Sequence, residues 1–262
     1  MKDAQSSGRP MVIKLGGAAA GDEDAALDFV AERAEAADAI VVVHGGGPLV
    51  DEWSKRLGIE TRFEDGLRVT DERTRDVALA VLAGLANKRV VAALSRRRVD
   101  AVGISGVDAG LLIVDRAAPS LGFVGRVRAV RPKVIDALLE ARLVPVVAPA
   151  AVASSGGELL NVNADEAAGA IAAGIGARLL LFVTDVNGVQ DRNGRRIARL
   201  DAETIRRLRA ERVVSGGMLP KLEAALVAAA EGCVAAIVGA RDRSGLRALA
   251  EGRQAGTMVS AG

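Results

Sequence analysis

The chain has 262 residues, 35 basic against 33 acidic side chains, and hydrophobic residues make up 50% of it. This length is enough for one large α/β domain or for two lobes that share a sheet. A formal net charge of +2 and an aromatic content of 2% provide neither the field nor the stacking surfaces that nucleic-acid binding uses. We therefore expect no nucleic-acid partner.

The single cysteine, Cys233, lies in the apolar run CVAAIV and excludes an intrachain disulfide. This cysteine usage is typical of a reducing compartment. The first residues, MKDAQSSGRP, are polar and unlike a signal peptide, and no uninterrupted apolar stretch reaches the ~20 residues of a membrane span. We expect a cytoplasmic protein with no membrane partner.

Short β-branched runs alternate with longer alanine-rich stretches along the chain. The apolar runs predict strands at 11–15, 39–44, 100–105, 111–115, 143–149, 179–185 and 234–239. Helical spacing predicts helices at 22–37, 48–57, 71–98, 132–142, 164–176, 201–210, 218–231 and 243–251. Continuously apolar strands that alternate with helices are typical of a parallel sheet covered on both faces. We therefore predict an α/β fold, a three-layer α-β-α sandwich around a mainly parallel central sheet.

Two segments interrupt this alternation. Residues 107–131 contain short strands around APSLG and predict a hairpin or meander inserted on the sheet. Residues 154–163, SSGGELLNVN, predict a further hairpin turn. A soft boundary near residue 175 divides the chain into an N-terminal lobe, 1–175, and a C-terminal lobe, 176–262, joined by one continuous sheet.

Glycines recur where the predicted strands end. Five segments follow strands, and four of them contain glycine: KLGG (14–17), HGGGP (44–48), SGVDAG (105–110), NVNAD (161–165) and TDVNG (184–188). Open α/β sheets bind ligands at this carboxyl edge, where backbone N–H groups and helix N-termini favour anions. Any one of these glycines is equally explained by an ordinary turn. Neither G-x-x-x-x-G-K-[ST] nor G-x-G-x-x-G occurs, which argues against a P-loop and a dinucleotide site.

Lysine is rare in this chain, which has 29 arginines and six lysines. Lys14 and Lys221 both lie at glycine-rich junctions, in KLGG and in SGGMLPK. Lysine provides a compact charge, whereas arginine provides a planar fork. Either lysine alone is more simply a surface residue, but the pair favours a need for point charges at a ligand.

Further candidates surround the two lysines in the predicted topology. Asp165 opens a helix, where it is able to contact both lysines or simply to cap the helix. Arg68 in DGLRVTD is suited to bidentate binding of a carboxylate, although most arginines in this chain must be solvated. Asn161 and Asn163 alternate along a strand and therefore face the same side. His44 is the only histidine, which excludes a histidine metal cluster or a Ser-His triad, and we expect it to be structural.

These motifs together resemble the amino-acid kinase family, and within it the acetylglutamate kinases. The resemblance runs from residue 11 to 259 through IKLGG, VVVHGGGPLVDE, GLRVTD, LANK, NVNAD, LFVTDVNGV, SGGMLPK and GTMV. It implies the amino-acid kinase fold and phosphorylation of the side-chain carboxylate of N-acetyl-L-glutamate by MgATP, the second step of arginine biosynthesis from glutamate. It also implies that the N-terminal lobe binds acetylglutamate and forms the dimer, while the C-terminal lobe binds ATP.

The resemblance assigns roles motif by motif. Lys14 and Lys221 are similar to the lysines that stabilise the transition state, and Asp165 is similar to the carboxylate that holds both. The implied acetylglutamate-binding residues are Gly46, Gly47, Arg68 and Asn161. The implied ATP-binding residues are Gly16, Gly17, Asp185, Val186, Asn187, Gly188, Val213, Val214 and Ser215. Mg²⁺ is expected to be held mainly by the nucleotide phosphates, and no residue is assigned as a metal ligand. Residues 238–251 depart from the family pattern, so the adenine contacts stay unassigned.

A carboxylate acceptor suits a chain with one histidine. Its pKa of ~4.3 leaves it ionised at neutral pH, so no general base is required. Catalysis should then depend on alignment and on neutralisation of charge.

Two other functions remain open. One is a kinase of the same fold that acts on carrier-protein-bound glutamate or aminoadipate. The other is a non-catalytic ligand-binding regulator, against which the retention of Lys14, Asp165 and Lys221 argues. Ten residues precede the first predicted strand, where arginine-inhibited relatives have a longer helix, so we expect an arginine-insensitive homodimer.

Overall fold

The computed structural model describes residues 8–16, 24–64 and 66–261. The strands are β1 (Met11–Leu15), β2 (Ile40–His44), β3 (Arg62–Glu64), β4 (Leu67–Val69), β5 (Ala101–Ser105), β6 (Leu112–Arg116), β7 (Val124–Val130), β8 (Val144–Ala148), β9 (Ala150–Ala153), β10 (Leu159–Val162), β11 (Leu179–Thr184), β12 (Arg199–Leu200), β13 (Val234–Gly239) and β14 (Thr257–Val259). The helices are α1 (Asp24–Glu35), α2 (Gly47–Arg56), α3 (Glu72–Leu79), α4 (Asn87–Ser95), α5 (Lys133–Glu140), α6 (Ala164–Gly174), α7 (Ala202–Ala210), α8 (Met218–Ala230) and α9 (Arg243–Ala250).

Eight strands form the central sheet, in the order β12-β14-β13-β11-β1-β2-β8-β5. The six strands from β13 to β5 are parallel, whereas β14 runs antiparallel to β13. Helices cover both faces, so the predicted α/β fold with a mainly parallel sheet is confirmed. The carboxyl ends of β2, β1, β11 and β13 consequently lie side by side along one edge.

The side chains of β1 alternate between the two faces of the sheet. Met11, Ile13 and Leu15 pack with α1, α4 and α9, whereas Val12 packs on the opposite face with α6 and α8. By the period of two, Lys14 shares the face of Val12. The last residue of β2, His44, falls by the same rule on the α4 face, with Ile40 and Val42.

The predicted helix 71–98 is interrupted. Between α3 and α4, residues Ala80–Ala86 form a π-helical segment. An i→i+5 turn holds an extra residue, which rotates everything after it by about 100° relative to a continuous α-helix. The segment lies against the end of β2, where a Cβ at Gly46 would be 2.7 Å from Leu82 Cδ2. Spacing of apolar residues did not reveal this change of helix type.

The helical stretch Glu72–Ser95 is also the one described helix that is long and apolar enough to cross a membrane, by length and composition. One face of it is buried against β5, β8 and α2, which is the packing of a core helix. Its opposite face carries exposed Lys88 and Arg89.

A second sheet, closed in the order β10-β7-β6-β9, contains the two predicted hairpins. The β6–β7 and β9–β10 pairs are antiparallel, so both hairpins are confirmed, although they form a separate sheet and not an insertion on the central one. The short β3–β4 hairpin and the strands β12 and β14 were not predicted. With two or three residues each, these strands are too short to show a periodic pattern.

His44 is fully buried at the end of β2, beside Asn87 at the start of α4. Its Nδ1 lies 2.8 Å from the Gly45 carbonyl oxygen, and its Nε2 lies 3.1 Å from Asn87 Nδ2. Burial lowers the pKa of His44 from 6.5 to about 4, and the positive charge of Lys14 acts in the same direction. The imidazole is therefore neutral at pH 7.

This burial predicts an acid-sensitive contribution to stability. Below pH 6.5 the unfolded chain protonates this histidine, whereas the folded chain does so only near pH 4. The free energy of unfolding should therefore fall as the pH drops through this window, by about 1.4 kcal/mol per pH unit and about 3 kcal/mol in all. Urea unfolding at several pH values measures this slope.

The variant His44→Asn is the control, because it keeps every carboxylate and removes the imidazole. Its stability should decline less steeply between about pH 6.5 and about pH 4. Equal slopes for both proteins would show that folding does not lower the pKa of His44.

Candidate active site

Three charged side chains from three elements meet beside the end of β1. Lys14 Nζ lies 2.8 Å from Asp165 Oδ1, and Lys221 Nζ lies 3.0 Å from Asp165 Oδ2. Lys221 Nζ also donates to the Gly217 carbonyl oxygen at 3.3 Å. The structure thus brings together the two lysines and the aspartate that the sequence singled out, with both ammonium groups on one carboxylate.

The local sequence places each member of this cluster. Asn163 caps α6, since its Oδ1 accepts from the N–H groups of Asp165 at 2.8 Å and Glu166 at 3.2 Å. The alternative that Asp165 is itself the helix cap is therefore wrong, and its carboxylate is free to bind the lysines. Lys221 follows Pro220 in the first turn of α8, where a proline needs no hydrogen-bond acceptor.

Close packing of α6 on α8 holds Asp165 next to Lys221. Gly169 lies one turn along α6, and a Cβ there would be 2.5 Å from the Ala224 carbonyl oxygen on α8. Only a glycine permits the two helix backbones to approach this closely. The absence of a side chain at Gly169 thus sets the distance between α6 and α8.

The cluster carries one net positive charge in a buried place. The side chains of Lys14 and Asp165 are 6% and 8% exposed, and that of Lys221 is 14% exposed. A net positive charge in a buried place is energetically unfavourable unless an anion binds next to it. The N-termini of α6 and α8 point the positive ends of their dipoles toward the same place. This arrangement favours a bound anion.

A cavity of about 220 Å³ opens next to Lys14 and Asp165. Its polar wall contains all four residues of the predicted substrate set, Gly46, Gly47, Arg68 and Asn161. Its apolar wall includes Val50, Leu67, Leu82, Val124, Pro149 and Val162. Asn163 also lines the cavity, as the alternation with Asn161 predicted. A small molecule with anionic ends and an apolar middle fits such a lining.

Arg68 is held rigidly in the cavity wall. It is 9% exposed, its Nη1 donates to Asp51 Oδ1 at 2.5 Å, and its Nη2 donates to the Gly47 carbonyl oxygen at 3.1 Å. The guanidinium carbon lies 4.9 Å from the centroid of the Phe63 ring. A fixed, buried guanidinium is suited to binding a carboxylate, as the sequence indicated.

A second cavity of about 480 Å³ lies further along the same edge, at the ends of β11 and β13. It is lined by Thr184, Asp185, Asn187, Gly239, Ala240, Arg241 and Asp242. Asp185 and Asn187 belong to the predicted nucleotide set. The Asn187 side chain accepts from the Gly239 N–H at 3.3 Å and so joins the two strand ends.

The other predicted nucleotide residues lie outside the lining of this cavity. Val186 is 39% exposed, and Gly188 is buried against Thr257. Val213 and Val214 pack into the core under α7 and α8, while Ser215 is exposed.

Gly16 and Gly17 follow β1 in the sequence. Gly16 is half-buried, and its N–H donates to the Val183 carbonyl oxygen at 3.0 Å, so this group is used by the sheet and is not free to bind phosphate. Gly17 falls outside the described residues. The contribution of these two glycines to nucleotide binding stays a prediction.

Two groups of cavity residues escaped the sequence reasoning. Phe63 and Leu67 come from the β3–β4 hairpin, which the Asp-Gly pair between RFE and LRV could have revealed. Residues 239–242, at the end of β13, have no individual assignment either, although the sequence links the stretch 238–251 to the adenine contacts. Conversely, SGVDAG follows β5 at the far end of the sheet, where Asp108 accepts from the Ser105 N–H at 2.6 Å, and it lines neither cavity.

The packing of α6 on α8 predicts the effect of one added methyl group. Gly169→Ala should lower the free energy of unfolding by about 1–3 kcal/mol, because the new Cβ meets backbone that must move. Denaturant unfolding measures the loss. Gly84→Ala is the matched control, since no atom lies within 4 Å of a Cβ built there and the helix gains about 1 kcal/mol in propensity. A Gly169→Ala protein as stable as the Gly84→Ala protein would contradict the close packing.

Comparisons with known proteins agree with this arrangement. The model of the amino acid kinase family matches residues 9–239. Over 258 residues the chain is 45% identical to the acetylglutamate kinase of Methanopyrus kandleri, covering 95% of this chain and 99% of that protein. It is 41% identical to the acetylglutamate kinase of Novosphingobium aromaticivorans, covering 97% and 91%. The solved structure of smu.665 from Streptococcus mutans aligns with a TM-score of 0.81 at 26% identity, covering 97% and 99%. The chain belongs to the amino acid kinase family.

Proposed function

We propose that this protein transfers the γ-phosphoryl group of ATP to the side-chain carboxylate of N-acetyl-L-glutamate, the second step of arginine biosynthesis from glutamate. The observation that carries the proposal is the Lys14–Asp165–Lys221 cluster beside a cavity lined by Arg68 and Asn161. Full-length identity of 45% to an acetylglutamate kinase supports the choice of substrate.

The order of strands along the sheet edge arranges the two substrates. The acceptor cavity lies at the ends of β2 and β1, and the second cavity lies at the ends of β11 and β13. Three strand spacings separate β2 from β13, about 14 Å in all. A nucleotide in the second cavity would direct its phosphates across the end of β1, toward Lys14.

The acceptor matches the cavity in its charges and its shape. Arg68 is suited to the α-carboxylate of acetylglutamate, and the apolar wall is suited to its methylene and acetyl groups. The side-chain carboxylate would then lie near Gly46 and Gly47. The N–H groups of these two glycines have no hydrogen-bond acceptor within the described residues.

The transfer requires no proton. An oxygen of the acceptor carboxylate forms a bond to the γ-phosphorus, and the bond from that phosphorus to the β–γ bridging oxygen breaks. The electron pair of the broken bond leaves with ADP, and the product is an acyl phosphate. The lysines stabilise the charge that builds on the phosphoryl oxygens, Lys14 near the γ-phosphoryl group and Lys221 near the leaving side.

A metal ion is suited to the nucleotide and not to the protein side chains of the cluster. Each oxygen of Asp165 lies within 3.0 Å of a lysine ammonium group, so two cations already balance the charge of this carboxylate. Mg²⁺ bound to the ATP phosphates would neutralise part of their charge. Asp165 positions the two lysines for this complex.

The alternatives are less well supported. A carrier-protein-bound acceptor would differ at the acetyl group, and the full-length relatives at 41–45% identity are acetylglutamate kinases. A non-catalytic regulator would not need two buried lysines on one carboxylate.

The assembly and the lobes belong to the same proposal. Residues 1–175 would bind the acceptor and form the dimer, and residues 176–262 would bind ATP. In the described part of the chain β5 is an edge strand of the central sheet, so a second copy could pair with it in a homodimer. A cytoplasmic location, the absence of nucleic-acid and membrane partners, and insensitivity to arginine stay predictions.

A substrate panel tests the acceptor. With ATP, the protein should phosphorylate N-acetyl-L-glutamate with a kcat/KM at least ~100-fold above that for L-glutamate, whose ammonium group would enter a positively charged site. Trapping with hydroxylamine detects the acyl phosphate and separates it from simple ATP hydrolysis. Faster turnover of N-acetyl-aminoadipate or UMP would contradict the assignment.

Substitution of the lysines tests the cluster. Lys221→Met and Lys14→Met should each lower kcat by about 100- to 1,000-fold, because a fixed positive charge is lost from the transition state. Binding of acetylglutamate and ATP, measured by calorimetry, should change much less. Lys133→Met, at an exposed position in α5, should retain full activity. Normal turnover by a Lys221→Met protein that binds both ligands would remove this residue from the mechanism.

A further inference from the structure

A buried polar cluster lies beneath the glycine loop, residues 45–47, which lines the acceptor cavity. His44 and Asn87 form this cluster, and both are completely inaccessible to solvent. Neither side chain lines the cavity. Buried polar groups of this kind are costly unless each hydrogen bond is made, so their pattern of donors and acceptors is informative.

The orientation of the Asn87 amide follows from its neighbours. Asn87 Nδ2 lies 2.9 Å from the Val146 carbonyl oxygen and 3.2 Å from the Ile104 carbonyl oxygen. Carbonyl oxygens only accept, so the NH₂ group must face them. Asn87 Oδ1 points the other way and accepts from Lys88 Nζ at 3.2 Å.

The Gly45 carbonyl oxygen fixes the proton of His44. It lies 2.8 Å from Nδ1 and only accepts, so Nδ1 carries the single N–H of the neutral imidazole and donates to it. Nε2 then carries no proton and lies 3.1 Å from the NH₂ group of Asn87, whose two hydrogens are shared among Nε2 and the carbonyl oxygens of Ile104 and Val146. Asn87 thus faces the unprotonated nitrogen of the ring, while the protonated nitrogen binds the glycine loop.

Hydrogen bonds fix the first residue of the glycine loop, Gly45, whereas the other two residues present backbone N–H groups to the cavity. Gly45 uses both of its backbone groups, since its N–H donates to the Leu15 carbonyl oxygen at 3.0 Å and its carbonyl accepts from His44. Gly46 packs on Leu82 of the π-helical segment. In the described part of the chain no acceptor binds the N–H groups of Gly46 and Gly47, which leaves them for a ligand.

A glycine on β5 makes room for Asn87. A Cβ built on Gly103 would lie 1.9 Å from Asn87 Oδ1 and 2.6 Å from Lys88 Nζ. Any larger residue at this position would push the amide away from His44. The arrangement therefore depends on three residues that lie far apart in the chain.

We propose that His44 and Asn87, with the space left by Gly103, are positioning residues for the acceptor. They hold the glycine loop so that the Gly46 and Gly47 N–H groups point at the anionic group of the acceptor, and they do so without touching it. The assignment of the ligand rests on the function proposed above, whereas the proton position of His44 does not.

The proton position is tested on the unaltered protein by NMR. His44 is the only histidine, so a long-range ¹H–¹⁵N spectrum of the imidazole contains one set of signals. At pH 7 we expect a neutral ring with Nδ1 protonated and Nε2 unprotonated. A ring protonated at Nε2, or at both nitrogens, would overturn the proposal whatever the enzyme's substrate.

The effect on the acceptor is tested with two isosteres of histidine. In His44→Asn the amide nitrogen replaces Nδ1 and still donates to Gly45, whereas His44→Gln offers an acceptor to Asn87 but loses that donor. We expect His44→Gln to raise the KM for acetylglutamate about tenfold or more and His44→Asn about threefold or less. The KM for ATP should stay within about twofold in both.

Ile40→Ala separates positioning from stability. Ile40 is fully buried at the opposite end of β2 and on the same face as His44, so its truncation weakens the same core. It should lower the melting temperature and leave both KM values within about twofold. Equal KM values for acetylglutamate in His44→Gln and Ile40→Ala would overturn the positioning role. A wild-type protein inactive on acetylglutamate would instead refute the proposed function and leave the NMR result standing.

Discussion

Two buried ammonium groups on a single carboxylate form the constraint on which the rest of the site depends. Lys14 comes from a strand end, while Asp165 and Lys221 come from the first turns of α6 and α8. The three side chains together carry one net positive charge in a place with little access to water, and two helix dipoles add to it. Such a site favours an anion, which in the proposed reaction would be a phosphate of the nucleotide.

The close approach of two helix backbones, those of α6 and α8, supports this cluster. Gly169 lets α6 and α8 pack at a distance that a methyl group would prevent. This packing of the two helices sets the distance between Lys221 and Asp165. The same principle recurs at Gly103 and Gly46, where missing side chains allow Asn87 and Leu82 to come close. At Gly169 and Gly103 the glycine is required by space alone, whereas Gly46 also has a φ of 159°.

The central sheet also separates two kinds of chemistry. Alternation along β1 and β2 puts Lys14 on the face of α6 and α8, and His44 on the face of α4. The charged cluster and the neutral polar cluster therefore meet the same edge from opposite sides. A neutral, buried histidine agrees with a reaction in which the acceptor is already ionised and no base is needed.

The sequence by itself determined the alternation of strands and helices, and it identified Lys14, Asp165, Lys221, Arg68 and Asn161. Lys14 was singled out because segments that follow parallel strands meet at the carboxyl edge of the sheet, whereas the other four residues were singled out by their motifs. Tertiary structure alone decided that β2, β1, β11 and β13 are neighbours, which leaves SGVDAG out of both cavities. It also brought His44 to Asn87, 43 residues away, across a π-helical segment that apolar spacing does not reveal. Strand order and side-chain contacts across the fold depend on packing between distant segments, and no local pattern contains that information.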